Sequence, residues 1–455
     1  MGSLFASLLN STGALQVYGR VFNVIQNNVT NANTPGYVEQ EQSLIPMPFD
    51  PAGGLTGGVL PGRMLSARSS YLEQSVRNQQ QLLGDAQQRA GDLGQIESLF
   101  DTSSETGVSG ALNSFFNSFS QLAVNPNDVV SRQNVIGAAE KLAEAFRQNS
   151  IGISRVSNNV DGETRDTVTA INSLAERIAE INSHFRSDAE SASDAGLDAL
   201  MHSSLEKLSG LVNYSLVKTS DGSYTLYAGG QTPLVIGDRV YPLAADFSSP
   251  TTVIRDALGR DVTSQMEGLG GTLGAMLKEK NVTLAGYKTA LNTVATALAD
   301  SVNGQLSLGV DRNGDAPLKN LFSYSAALGS AFTLAVTDIA PDEIAAALAT
   351  APGGNGNAIA LAQLALQPAV SGFTFTQAYG NLGGQVGRDI SQAKQDLSAQ
   401  QDLLAQAQTA RAEASGISLD KEAAKLLQFQ QAYQAVGKMI GVLNTLTDTV
   451  LNILR

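Results

Sequence analysis

The sequence predicts a mainly helical α+β fold. It reads as an elongated, multidomain chain with paired N- and C-terminal helices forming a coiled coil, a helical bundle and a small β-rich domain. Three observations carry this reading. Apolar residues step by four and three at both ends of the chain, the same rhythm returns between them, and the stretch after Asn213 alternates with period two.

The first helix is predicted from Leu4, Leu8, Ser11, Leu15, Tyr18, Phe22, Ile25 and Val29, a spacing that keeps one stripe against a partner helix. "NVIQNNVTNANTPGYVEQ" then brings Asn23, Asn27, Asn28, Asn31 and Asn33 close together. Asparagine side chains compete for backbone hydrogen bonds, so this run marks a helix end. Pro35 fixes φ at the second position of a turn and Gly36 accepts positive φ at the third, a type II pattern across Thr34 to Tyr37. Pro46, Pro48 and Pro51 forbid a helix beyond it, and an extended arm is expected.

Leu72, Val76, Gln79, Leu83, Ala86, Ala90, Leu93 and Glu97 define a second helix, and Val168, Ile171, Ala175, Ile178, Ile181 and Phe185 another, which together point to a bundle. Asp221-Gly222 sits between alternating runs as a hairpin turn. Helical character resumes near Leu273, and residues 338–372 read as short helices around a Gly/Asn-rich loop. The last helix spaces Leu419, Leu426, Tyr433, Ile440, Thr447 and Leu454 seven apart, with Glu422, Phe429, Val436, Leu443 and Val450 between them. Ser418 is its natural N-cap, and Asp420 and Glu422 suit the positive end of its dipole. A helix of about 37 residues would span ~55 Å. The expected division is 1–65 with 412–455 as terminal coiled coil and arm, 66–209 with 273–411 as the bundle, and 210–272 as the β-rich outer domain.

Composition narrows the function. The 455 residues carry 29 basic and 42 acidic side chains, a net charge of -13 that repels phosphate backbones and anionic lipid. With no cysteine, disulfides and thiolate metal sites are excluded. The first nineteen residues hold no charged side chain and so lack the basic start of a secretory signal, and no apolar run reaches the ~18 residues of a membrane span. A soluble chain without a cleaved export signal is expected.

No constellation points to catalysis, a cofactor or a metal. "DRNGD" at 311–315 opens like a calcium loop, but Ala316 and Phe322 stand where the loop needs glycine and an acid, so a polar turn is expected. "GLGGTLGAM" has Leu273 where a dinucleotide fingerprint needs glycine. His184 and His202 form no ligand motif, and His184 is expected on a helix surface.

The two ends together carry a family resemblance. A heptad helix stopped by Asn31, Asn33, Thr34, Pro35, Gly36 and Tyr37, joined in one acidic chain to "SGISLDKEAAKLLQFQQAYQAVGKMI", resembles the flagellar rod, hook and hook-associated proteins. "VNPNDVVSRQNVI", "GGTLGAML" and "VDRNGDAPLKNLF" are similar to segments of the hook–filament junction members, in the same order. Two departures stand out: Glu39 where the family commonly has arginine, and Ala199-Leu200-Met201-His202 where it has a charged patch.

The resemblance implies a non-enzymatic, structural axial protein of the bacterial flagellum. Its terminal helices would line the channel and order on assembly through a seam of Leu8, Leu15, Phe22, Val29, Leu426, Phe429, Tyr433, Val436, Ile440 and Leu443. It implies self-assembly as a ring, contact with the hook protein and the second hook–filament junction protein, and a cytoplasmic export chaperone on the C-terminal segment. Export by the flagellar type III system follows, with no nucleic-acid or membrane partner. The alternatives are a hook or distal-rod protein, or a flagellar scaffold displaying a binding or enzymatic β-domain.

Overall fold

The computed structural model describes residues 2–50, 55–100, 107–187 and 194–453; Pro51 and Leu454, read above as a helix breaker and a seam residue, lie outside them. The chain is 66% helical with a few small sheets. It divides into two compact units, one of Met1–Leu83, Ala170–Leu243 and Gln400–Arg455, the other of Gly84–Thr169 and Ala244–Ala399.

In the first unit, α1 (Gly2–Thr30) packs on α11 (Leu419–Ile453). The arm is a ribbon, with β1 (Gln40–Pro46) antiparallel to β4 (Val59–Ser66) and a short β2 (Phe49–Asp50) and β3 (Leu55–Thr56) pair at its tip. The N-terminal part of α2 (Ser70–Ile96) follows. After the 59-residue α4 (Val129–Ser187) come α5 (Ala195–Leu211) and a four-stranded antiparallel sheet in the order β5 (Tyr214–Lys218), β6 (Tyr224–Ala228), β7 (Thr232–Ile236), β8 (Arg239–Val240). Thr219, Asp221 and Ser223 close the β5–β6 hairpin, with Gly222 at φ 87° as the turn requires.

The second unit holds the densest core. It contains α3 (Val108–Val124), the N-terminal part of α4, α6 (Gly271–Lys278), α7 (Ala285–Ser307), the single turn α8 (Ser330–Thr333), α9 (Gly356–Gln363) and the N-terminal part of α10 (Phe375–Ser415). Short antiparallel pairs β9 (Ala244–Asp246) with β10 (Val253–Arg255), β11 (Gly309–Val310) with β14 (Ala347–Leu348), and β12 (Phe322–Ser323) with β13 (Ala335–Val336) trim its edges. Phe115 lies edge-on to Phe119 at 5.2 Å, and Phe116 stacks on Phe375 at 5.8 Å. Leu112, Phe115, Phe119, Phe146 and Leu298 are fully buried. Asp311 accepts from the Asn313 and Asp315 amides at 2.7 and 2.9 Å, which makes 311–315 a polar turn.

The compact units divide the chain elsewhere than at residues 65, 209 and 272. The β-rich stretch is split between them, because strands this short lack the area for a core of their own and borrow helices. Asn182 of α4 holds the first sheet, donating to the Tyr224 and Gly237 carbonyls at 2.7 Å each and accepting from the Tyr224 amide at 2.8 Å. The β9–β10 pair is held instead by Asp161, which accepts from Thr252 at 2.7 Å, and by Asn281, which accepts from the Thr252 amide at 2.8 Å.

Candidate functional site: the terminal helix pair and its turn

The two terminal helices run antiparallel, as three pairings in the first unit show. Asn28 meets Glu422, Tyr18 meets Phe429 with ring centroids 5.8 Å apart, and the Ser11 hydroxyl faces the Met439 sulfur at 3.8 Å. Phe22 adds a ring contact with Tyr433 at 5.9 Å. Leu8, Leu15, Phe22, Phe429, Val436, Ile440 and Leu443 are half-buried along this seam. Four positions are more open than the expected stripe: Val29, Leu419, Leu426 and Tyr433 are 46%, 55%, 42% and 41% exposed, although Tyr433 keeps its ring contact with Phe22. The pairing reaches the end of α1 through Asn28 rather than Val29, and the stripe on α11 follows Glu422 and Phe429 rather than the heptad of Leu419 and Leu426.

The turn explains that choice. Asn28 is fully buried and uses its whole amide: Nδ2 donates to the Gln40 carbonyl at 2.9 Å and to Glu422 Oε2 at 3.0 Å, while Oδ1 accepts from the Gln40 amide at 3.0 Å and the Tyr37 hydroxyl at 3.3 Å. One side chain thus ties α1, the arm and α11 together. Burying such an amide is favourable only when its hydrogen bonds are made, so the position is specific as well as stabilising. Asn31 folds back to the Asn27 carbonyl at 3.0 Å and accepts from Thr34 Oγ1 at 3.0 Å, finishing the helix, and the Tyr37 amide closes the turn on the Thr34 carbonyl at 3.1 Å. Asn33 and Pro35 are exposed.

Gly36 is required twice. Its φ is 80°, and a Cβ there would collide with the Ala199 carbonyl oxygen and approach the Ser203 nitrogen to 3.1 Å. The turn therefore seats directly on α5, and Arg68 pins it by donating to the Gly36 carbonyl at 2.6 Å while pairing with Glu73 at 2.6 Å and Asp198 at 2.7 Å.

Glu39 finds its partners on α11. It pairs with Lys421 at 3.2 Å and with Lys425, which also reaches Glu422 at 2.9 Å. Burial pushes the Glu39 carboxyl up, but the two ammonium groups outweigh it and hold the group below the usual carboxylate range. Burial likewise works against the Lys425 charge, and Glu39 and Glu422 overcome it and raise that ammonium. The Glu39 amide donates to the Ser415 carbonyl at 3.0 Å, and Ser415 Oγ to the Ala67 carbonyl at 2.9 Å, closing the arm's base. Ser418 starts α11: its carbonyl accepts from the Glu422 amide at 2.9 Å.

Sequence reasoning named Asn28 as part of a helix stop, Glu422 as a first-turn acid in the register of Phe429 and Glu39 as a departure from the family, but it did not join them into one contact. Asn28 follows Val21 and Ile25 at helical spacing and Glu422 precedes Phe429 by seven, so both polar residues occupy seam positions. A polar residue in such a register is the signal that could have paired them.

Chemically the arrangement fixes geometry. Among the described residues there is no His/Cys/Asp/Glu group arranged to hold a metal ion, and no helix is long and apolar enough to cross a membrane. The helix pair leaves large apolar side chains uncovered: Phe5, Leu9, Leu427, Met439, Val442, Leu446 and Leu451 are 47–63% exposed.

Residues 93–322 match the family described as "Flagellar hook-associated protein FlgK helical domain", and residues 408–453 match "Flagellar basal body rod FlgEFG protein C-terminal". Over 501 residues the chain is 26% identical to flagellar hook-associated protein 1 of Bacillus subtilis (strain 168), covering 99% of each. It is 24% identical over 557 residues to the protein of the same name from Salmonella typhimurium, covering 100% of each. The solved structure of the flagellar hook junction protein FlgK from Burkholderia pseudomallei aligns with a TM-score of 0.68 at 17% identity, covering 76% of this chain and 100% of that one, a likeness of fold. The helical-domain match alone takes in half of the sequence, and with it the chain belongs to the FlgK family of flagellar hook-associated proteins.

Proposed function

We infer that the chain is a structural subunit of the bacterial flagellum, joining the hook to the next junction protein and the filament. The observation that carries this reading is the terminal helix pair: its seam is held by the Asn28–Glu422 bridge, while the pair leaves large apolar side chains uncovered. A seam of this kind is completed by neighbours, so folding of the terminal helices and assembly into a ring are coupled. The turn at Thr34 to Tyr37 ends the inner helix at a fixed point and sends the arm outward at a fixed angle. Before assembly the same apolar face needs cover, which a cytoplasmic chaperone on residues 418–455 supplies during type III export.

The test is genetic and direct. A strain lacking this chain should build hooks and shed its filaments, and the intact gene should restore them. A variant with Phe429→Asp and Leu443→Asp places two charges in the seam and should be made, and found outside the cell, without restoring filaments. Normal filaments in the deletion strain, or on the doubly substituted chain, would overturn the reading.

A further inference from the structure

The first unit contains a cleft of about 830 Å³ with no part in the seam. Its walls come from the base of the arm, α2, α5 and the β5–β6 hairpin. Its acids are already engaged. Glu73 accepts from Arg68 at 2.6 Å and from Arg411 at 3.2 Å, Asp198 accepts from Arg68, and Asp194 caps α5 by accepting from the Gly196 and Leu197 amides at 2.7 and 2.9 Å. Its cations are not all matched. Arg77 Nη1 is buried with no hydrogen-bond partner, and Lys218 lies 5.2 Å over the Tyr224 ring rather than against a carboxylate.

His202 stands beside them. It is 8% exposed, its Nδ1 has no hydrogen-bond partner, and the nearest acids stand off at 3.8 Å for Glu73 and 3.7 Å for Asp198. Its ring sits edge-on to Tyr224 at 6.2 Å. Burial, and then the charges of Arg68, Arg77, Lys218 and Arg411, push its pKa down to about 2, so the imidazole is neutral, with the proton on one ring nitrogen and a lone pair on the other. An unpaired buried donor costs free energy that an incoming acceptor recovers. The lining balances three cations, Arg68, Arg77 and Lys218, against three acids, Glu73, Asp194 and Asp198, so what it leaves unmet is the hydrogen bonding of Arg77 Nη1 and the carboxylate pairing of Lys218.

We propose that the cleft is an oxyanion-binding site, which takes one carboxylate or phosphate group between Arg77, Lys218 and His202. Arg77 supplies the charge-assisted hydrogen bonds, Lys218 leaves its ring to add a second charge, and His202 Nδ1–H fixes the orientation. The anion comes either from a small solute or from an Asp or Glu side chain of a second copy of this chain.

The sequence has only two histidines, and His184 is exposed on α4, so it serves as an internal control. Ring-nitrogen NMR of the full-length chain, titrated with inorganic phosphate at constant ionic strength, should shift the His202 signals saturably and leave those of His184 in place. Arg77→Gln, checked for folding by circular dichroism, should weaken the response about tenfold, the scale of a lost charge-assisted bond. Lys218→Gln, at an exposed strand position, should weaken it less and stands in if the first variant does not fold. Raising the protein concentration without phosphate separates the sources: a His202 shift that phosphate competes away identifies a second copy, and no shift identifies a small anion. A His202 signal indifferent to both phosphate and protein concentration, or an unchanged response in the two variants, overturns the proposal.

Discussion

The helical core of the second unit and the terminal helix pair of the first are built from similar residues to opposite ends. On α7, eight side chains including Leu291, Leu298 and Val302 are buried, and Phe115, Phe116, Phe119 and Phe322 pack together at no more than 5% exposure. On α11, among the described residues, the only buried side chain is Glu422, while Leu427 and Val442 are 59% and 60% exposed. A helix whose best-sheltered residue is a carboxylate draws its position from polar specificity and leaves its apolar area for something else to cover. On the proposed function, the core is complete in one chain and the terminal pair is half of an interface.

The largest effect expected from this contrast is on stability. Phe119→Ala in the core should cost about 3–5 kcal/mol, through lost burial and an unfilled cavity, whereas Phe429→Ala on the seam should cost the isolated chain about 1 kcal/mol. Urea unfolding of both variants checks this, and equal costs would erase the distinction.

Next is a pH dependence confined to the core unit. Asp92 and Glu279 are buried, each with one carboxylate oxygen unpartnered, and Asp92 Oδ1 accepts only from Gln88 at 3.0 Å. Burial raises both to about 7, helped for Asp92 by Glu163 and for Glu279 by Asp92. Their folded values lie above the unfolded range near 4, so the folded state holds extra protons between the two. Stability from these groups therefore falls as pH rises from about 4 to about 7 and stays low above, with a slope of up to about 1.4 kcal/mol per unit for each group. Asp92→Asn with Glu279→Gln should flatten that fall. The arm's base behaves in the opposite sense, because the lowered Glu39 value keeps its pairing with Lys421 and Lys425 intact as pH rises and loses it only in acid.

A smaller effect belongs to the turn. Gly36→Ala forces a left-handed backbone on a residue with a Cβ and presses it against Ala199, at about 1–2 kcal/mol for the backbone alone. The loss should appear as protease sensitivity of the arm, with the core unit's melting unchanged.

Much of this was legible in the sequence because periodicity and turn chemistry are local. The asparagine run stops α1 at Thr30, Pro35-Gly36 makes the predicted turn, and Val168, Ile171, Ala175, Ile178, Ile181 and Phe185 all face inward on α4. What was hidden is non-local. Nothing near Asn28 shows that Glu422, nearly 400 residues away, completes its hydrogen bonds. Glu39 looks like a local departure until Lys421 and Lys425 are placed beside it. The β-rich stretch reads as one domain because its strands are contiguous, while Asn182 and Asp161 attach its halves to different units.

Hydrogen exchange on the purified, unassembled chain tests most directly the claim that the terminal pair is an interface awaiting neighbours. Amides of α1 and α11 should exchange through low-cost local opening, orders of magnitude faster than those of α3 and α7, which should exchange only with global unfolding. Protection of α11 equal to that of α7 in the isolated chain would contradict the account.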